Sequence, residues 1–295
     1  MHILVSGATG TVGHRLVPLL LADGHAVTVA SRDAARAARA FPGTQSCTLE
    51  SLPGACDAIV NLSGAVVAQR WTAAHRRAIR DSRVIITGKL REAAEARGAA
   101  FVCASAVGFY GDRGDEILDE SSAPGSGFLP EICREWEDAA RSEKVRSVSL
   151  RVGIVLDRHG GVLKKLIPVF KLFAGGQISH GRMYMPWVHH ADITGLIRAA
   201  LTDARYTGAI NACAPQPATN REFSIALAKA THRPLMPRVP AFMLKLLYGA
   251  MATVVLSSQR AVPKRALELG YQFQFTDIGQ AVLDAVQDRG GRGGG

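Results

Sequence analysis

The run Val5-Ser6-Gly7-Ala8-Thr9-Gly10-Thr11-Val12-Gly13 constrains this chain more than any other segment. It begins inside Ile3–Ser6, a short continuous apolar run that reads as a buried strand, and leads into a helical pattern through about Ala22. In a GxxGxxG loop at such a turn each glycine has its own steric reason. Gly7 permits the tight turn, Gly10 lets the backbone approach a pyrophosphate, and Gly13 lets helix and strand pack closely. The helix start adds free amide donors and the positive end of its dipole. Three glycines alone are weak evidence. Placed after a first strand and followed at the right distance by a second, Ala26–Ala30, they predict a dinucleotide phosphate loop built from Gly7, Thr9, Gly10, Thr11, Val12 and Gly13.

The end of the second strand selects the dinucleotide. An NAD-type site puts a carboxylate there to bind the ribose hydroxyls. Here the segment is Val29-Ala30-Ser31-Arg32. An arginine pairs with a 2′-phosphate, which an acid would repel. Asp33, one step on, is expected to cap the next helix. The expected cofactor is therefore NADP(H), with Ser31 and Arg32 at its 2′-phosphate.

Further buried runs at Ala58–Leu62, Phe101–Ala104 and Ser147–Leu150 alternate with helical spacing over Ala73–Arg97 and Phe128–Arg141. That alternation predicts an α/β fold, a Rossmann-type doubly wound parallel sheet with helices on both faces. Pro18 falls inside the first helix, where a kink rather than a break is expected. After about residue 155 the rhythm loosens, with Gly160–Gly161, Gly175–Gly176 and a scatter of prolines. The expected division is residues 1–155 as the NADP-binding domain and 156–295 as a smaller, mainly helical substrate-capping lobe. That second part includes returning Rossmann elements and ends in a flexible tail at 289–295.

Composition excludes several classes. With 47% hydrophobic and 20% charged residues over 295 positions, a disordered or collagen-like chain is ruled out. Five scattered cysteines without a CxxC pair argue against a disulfide framework or zinc site and fit a cytoplasmic protein. The formal net charge is +10, but the clusters Arg32–Arg39, Arg70–Arg83, Lys164–Lys171 and Arg289–Arg292 are short and interleaved with apolar or acidic residues. They read as solvated helix faces rather than as a nucleic-acid surface, and the terminal RGGRGGG as a floppy end, with RNA binding a weaker second reading. Val239–Leu256 is the longest apolar stretch, but Lys245 and Gly249 interrupt it. A buried or lid-forming helix pair is expected there, not a membrane span. Nothing in the pattern chooses between monomer and homodimer.

These motifs and those that follow resemble the short-chain dehydrogenase/reductase superfamily, and within it the atypical, epimerase-like branch. The resemblance runs almost end to end. After Gly7–Gly13 it rests on Asn61-Leu62-Ser63-Gly64, Arg70-Trp71 with Ile79, Ser82 and Arg83, and Ser105-Ala106-Val107-Gly108-Phe109-Tyr110-Gly111. Further on it rests on Cys133-Arg134-Glu135-Trp136-Glu137, Leu150–Leu156, Met185–His189, Asp192, Asn211, Thr219–Phe223, and Gln259-Arg260 ahead of Pro263. It implies that Leu62 and Ser63, beside Gly64, lie against the adenosine side of the cofactor, with Arg83 nearby and Val155 toward the nicotinamide. An ordinary surface position for Arg83 stands equally open.

Active members of the superfamily use a tyrosine with a lysine four residues later; the ammonium lowers the phenol's pKa so that it exchanges a proton with substrate. Aligning Glu137 with the acid that commonly follows this pair puts Leu129 and Cys133 at the two positions, and neither does that chemistry. Ser105 and Tyr110, following a buried strand, are expected at the pocket mouth as the remaining catalytic candidates; Tyr110 reads rather as an aromatic that packs against substrate than as an acid/base. Cys133 reads as a packed hydrophobe rather than a nucleophile. His189, His190 and Asp192 raise a metal or a base, against a hydrogen-bonded structural histidine; with no HExxH or comparable ligand set, no metal is expected. No GxSxG elbow supports serine hydrolysis. Two function classes remain: an epimerase-like oxidoreductase acting on a small polar, sugar-like substrate, and a non-catalytic NADP(H)-sensing regulator.

Overall fold

The computed structural model describes residues 1–288. The tail expected to be flexible, 289–295, lies outside them.

Seven parallel strands form the central sheet: β1 (His2–Ser6), β2 (Ala26–Ala30), β3 (Gln45–Cys47), β4 (Ala58–Asn61), β5 (Ala100–Ala106), β6 (Ser147–Val152) and β7 (Gly208–Ala212). Their order is β7-β6-β5-β4-β1-β2-β3, so strand order reverses between β1 and β4. In open α/β sheets the crevice at such a switch point, outside the carboxyl ends of the strands, is where ligands bind. Strands β5 and β6 run two residues further than their apolar runs, to Ala106 and Val152.

The helices are α1 (Thr11–Ala22), α2 (Ala34–Ala40), α3 (Ala73–Arg97), α4 (Phe128–Ala140), α5 (Gly161–Lys171), α6 (His190–Thr202), α7 (Asn220–Ala230), α8 (Ala241–Tyr248), α9 (Ala252–Leu256), α10 (Lys264–Glu268) and α11 (Ile278–Gln287). Pro18 sits inside α1 as anticipated. One face of the sheet is covered by α1 and α6, through Leu16, Val17, Leu20, Leu196 and Ile197 against Ile3, Val5, Val148 and Ile210. The other is covered by α3 and α4, through Leu90, Ala94 and Trp136 against Leu4, Ile59 and Phe101. Every strand residue from Ile3 to Val5 and Ile59 to Val60 is fully buried, as a sheet covered on both faces requires.

A second core joins α5, α7 and α11 around Phe170, Trp187, Phe223 and Val282. The two cores are tied by Asp192, fully buried at the start of α6, whose carboxylate accepts from the backbone N–H groups of Gln274 (2.7 Å) and Phe275 (3.1 Å). The stretch Val239–Leu256 does fold as a helix pair, but not a buried one: α8 has no buried residue. No helix among the described residues is long and apolar enough to cross a membrane.

Candidate functional site

The phosphate loop has the geometry its glycines require. Gly7 has φ +77, and a Cβ there would lie 2.5 Å from the Leu62 carbonyl carbon and oxygen and 2.7 Å from the Ser63 nitrogen. A side chain at residue 7 would therefore push β1's turn off the turn that follows β4. A Cβ at Gly13 would meet the Ala8 backbone at 2.5 Å, so the third glycine lets the helix close onto the loop. Gly10 differs: the one near neighbour of its Cβ would be the Gly7 carbonyl oxygen at 3.2 Å, leaving its outer side open to a ligand.

Helices α2, α3, α6, α7 and α11 each begin with a side chain that accepts a backbone N–H. Helix α1 begins at Gly10 with no side-chain cap and no acid in its first turn. Its orphan amides and the positive dipole end point out of the sheet at the switch point, an anion-binding arrangement. Gly160 lies against the Thr11 side chain, bringing the start of α5, also without a side-chain cap, to the same place. Arg15 fastens this loop from behind by pairing with Asp157 (2.7 Å) and with Asp288.

At the end of β2, Arg32 is exposed and Ser31 half-buried. Asp33 accepts from the Arg36 backbone N–H at 2.8 Å and so caps α2, as the sequence indicated. Across the switch point, Asn61 is fully buried and orders the β4 turn. Its side-chain oxygen accepts from the Ser63 N–H (3.0 Å) and its amide donates to Thr87 (2.8 Å), which also accepts from the Trp136 indole (2.9 Å). Ser63 and Ser6 hydroxyls meet at 2.5 Å, joining the turns after β1 and β4. Val12, Leu62 and Val155 pack, partly buried, against the main core, and Val155 lies in the short strand Ile154–Leu156 that follows β6.

Arg83 is not an ordinary surface arginine. Half-buried on α3, it donates to the carbonyls of Ala65 (3.1 Å) and Ile79 (3.2 Å), stacks over the Trp136 ring at 5.0 Å, and packs against Gly64. Burial pulls its pKa below the usual arginine value, and no carboxylate among the described residues pairs with it.

The expected catalytic pair is elsewhere than at the pocket mouth. Tyr110 is fully buried. Its single O–H proton is shared between Asn211 Oδ1 (2.7 Å) and the Asp119 carbonyl (2.9 Å), and its oxygen accepts from Arg151 (2.9 Å). Burial pushes its pKa up to about 12 despite the nearby guanidinium. Ser105 is buried too, donating to Glu137 Oε1 at 2.7 Å. Glu137 in turn forms a bidentate pair with Arg151 (2.8 and 2.9 Å). Both expectations are corrected by the path of the chain: β5 runs on through Ala106 and a single 3-10 turn, Val107–Tyr110, folds the tyrosine back under the loop toward β7. The result is one buried polar network linking β5, α4, β6 and β7. The motif residues Glu137, Arg151 and Asn211 were visible in the chain, but nothing local assigned them to one another.

Leu129 and Cys133 do lie together facing the end of β5: a Cβ on Gly108 would be 4.0 Å from Leu129 and 3.8 Å from the Cys133 sulfur. Burial pushes the Cys133 thiol up to about 12, so it stays protonated and packs as a small hydrophobe. At the rim, Trp71 and Phe128 meet edge to face at 4.9 Å, with Arg76 over the Phe128 ring at 4.9 Å. Lys165 donates to the Ala68 carbonyl (3.0 Å), tying this rim loop to α5.

His189 is fully buried and caps α6: its Nδ1 accepts from the Ala191 N–H at 3.2 Å, which places the ring proton on Nε2. Nε2 faces Asp284 at 3.1 Å. His189, His190 and Asp284 gather ligand atoms within 4.8 Å of one another, and His189 Nδ1 is taken by the α6 cap. Asp192, which the spacing grouped with the histidines, points instead at the Gln274–Phe275 backbone.

Residues 3–213 match the model of the NAD dependent epimerase/dehydratase family, and residues 239–285 match a domain of unknown function, DUF1731. The chain is 38% identical over 302 residues to the chloroplastic SDR39U1 homolog of Arabidopsis thaliana, covering 97% of this chain and 87% of that protein. It is 33% identical over 300 residues to the human epimerase family protein SDR39U1, covering 97% of this chain and all of that one. The crystal structure of human SDR39U1 with NADPH superposes with a TM-score of 0.89 at 32% identity, over 98% of this chain and 100% of that one. A Thermotoga maritima UDP-glucose 4-epimerase shares the fold, with a TM-score of 0.77 at 17% identity over 97% and 98% of the two chains. This chain belongs to the NAD-dependent epimerase/dehydratase family, in its epimerase-like, short-chain dehydrogenase/reductase branch.

Proposed function

We propose that this protein is an NADP(H)-binding, epimerase-like oxidoreductase acting on a small polar, sugar-like substrate in the cytoplasm. The observation that carries the reading is the switch-point crevice: an α1 start without a side-chain cap, an open face at Gly10, and an arginine in place of a carboxylate at the end of β2. These residues fit a dinucleotide. Gly7, Thr9, Gly10, Thr11, Val12 and Gly13 would hold the pyrophosphate, Ser31 and Arg32 the 2′-phosphate, and Leu62, Ser63, Gly64 and Arg83 the neighbouring ribose and base. Val155 would border the nicotinamide. That human SDR39U1 was crystallised with NADPH supports the same cofactor here.

When bound, NADPH supplies a hydride to an electrophilic carbon. The chain's own part is to fix the phosphates with backbone amides and to keep water from the pocket with Trp71, Phe128 and Leu129. Proton transfer falls to neither Tyr110 nor Ser105, since both hydroxyls are spent inside the buried network. We assign residues 1–155 to cofactor binding and 156–295 to capping the substrate. Titration calorimetry with NADPH and NADH, followed by NADPH oxidation assays over a panel of sugar-like carbonyl compounds, tests the reading. Tight NADPH binding with substrate-dependent oxidation supports it; no binding of either nucleotide refutes it.

One observation favours the second reading, a non-catalytic NADP(H) sensor. The positions of the proton-transferring pair are Leu129 and a protonated, buried Cys133. NADPH binding without oxidation by any substrate, together with a change in the protein on binding, is the outcome that selects it.

A further inference from the structure

The net charge of +10 is not spread over the molecule. Residues 158–191 contain five Lys or Arg and no acid, and residues 223–267 contain seven and no acid. Together they hold 12 of the 35 basic residues and none of the 25 acidic ones. The remainder, 23 basic against 25 acidic, has a net charge of −2. All of the positive excess therefore belongs to two stretches of the C-terminal half.

The fold joins these stretches. The strand Gly176–Ile178 of the first pairs in parallel with the strand Met236–Val239 of the second. Arg233 lies over the Phe173 ring at 4.8 Å. Helix α8 follows directly and presents large apolar side chains to solvent: Phe242 is 68% exposed, Leu246 77% and Leu247 63%. On the other stretch Leu172 is 78% and Phe173 53% exposed. Lys245 stands exposed among the α8 side chains.

An exposed apolar helix face on the stretches that carry the chain's whole positive excess has two requirements to satisfy at once, cover for its hydrocarbon and counter-charge for its cations. A second copy of the chain offers the first but brings a like-charged face. We propose that α8 docks on the surface of an anionic lipid bilayer, lying in the headgroup region rather than spanning. Phospholipid acyl chains accept the apolar side chains while anionic headgroups neutralise the surrounding Lys and Arg.

The test is co-flotation of the full-length, tag-free protein with vesicles of phosphatidylcholine alone or with about 30% phosphatidylglycerol. It is run on the native chain and on Phe242→Asp and Leu246→Asp, single and combined. Both side chains are exposed, so circular dichroism and NADPH affinity are expected to stay native in the variants. The expected result is association with the anionic vesicles only, weakened by added salt and falling about tenfold for each substitution. Equal association with both lipids, or none, overturns the proposal. So does anionic binding that the substitutions leave unchanged. Concentration-dependent dimerisation abolished by the same variants, with no effect on vesicles, assigns the face to a second copy and also overturns it.

Discussion

Replacing Tyr110 with phenylalanine separates a structural tyrosine from a catalytic one. The ring is fully buried and the change removes the oxygen alone. Two hydrogen bonds go with it: the one its proton makes, shared between Asn211 at 2.7 Å and the Asp119 carbonyl at 2.9 Å, and the one it accepts from Arg151 at 2.9 Å. The Arg151 bond involves a charged donor, worth about 1.5–3 kcal/mol, and the neutral donated one about 0.5–1.5 kcal/mol. Arg151 keeps its bidentate pair with Glu137, so the buried guanidinium is not left alone. The expected loss is about 2–4 kcal/mol, or a fall in Tm of about 4–8 °C at roughly 2 °C per kcal/mol. Calorimetric melting reads it, with NADPH affinity measured on the same samples and expected to stay native. The raised phenol pKa adds a signature. A folded value of about 12 against about 10 unfolded means the unfolded chain loses its proton first. The contribution is complete below pH 10 and is lost as pH rises toward 12, and the Phe variant lacks that loss. An unchanged Tm with turnover abolished would refute the structural assignment.

Three further outcomes are expected. Arg32→Ala, at an exposed residue, should leave melting unchanged but weaken NADPH binding by about 1–2 kcal/mol, roughly 5- to 30-fold, without affecting NADH; equal response of the two nucleotides in calorimetry sinks the 2′-phosphate assignment. Gly7→Ala combines a left-handed backbone with a 2.5 Å overlap on Leu62, so it should cost at least about 2 kcal/mol in denaturant melts and abolish NADPH binding. His189, held down to about 3 chiefly by burial, stays neutral in the folded protein while the unfolded ring takes up a proton below about 6.5. Its contribution is present above pH 6.5 and is lost toward pH 3 by up to about 1.4 kcal/mol per pH unit; His189→Asn keeps a capping side chain and should flatten that slope in a Tm–pH series.

The elements that were legible are those whose cause is local. Helix α3 occupies the predicted Ala73–Arg97 because Thr72 caps its start and Gly98, at φ +64, ends it, both short-range effects. Asp33 was assigned to helix capping because an N-cap carboxylate needs only the next three residues. Tyr110 was misplaced because its sequence neighbours say nothing of Asn211, 101 positions away, which accepts its proton. Asp192 was grouped with two adjacent histidines, but its partners lie more than 80 positions on. The apolar run at 239–256 read as a buried or lid-forming pair, yet its burial depended on whether other helices came to cover it, and α8 remains uncovered.

By itself, the amino-acid sequence determined that this chain begins a doubly wound sheet with a phosphate loop, because a strand, three spaced glycines and a helix are constrained by φ angles and single-turn contacts. It also determined that an arginine, Arg32, follows β2 ahead of the acid Asp33, which the next helix takes as its cap. Only the tertiary structure decided which polar residues face the crevice and which are consumed inside. Burial and hydrogen-bond partners are set by strands and helices that meet from distant parts of the chain, and these put Ser105, Tyr110 and His189 in the interior.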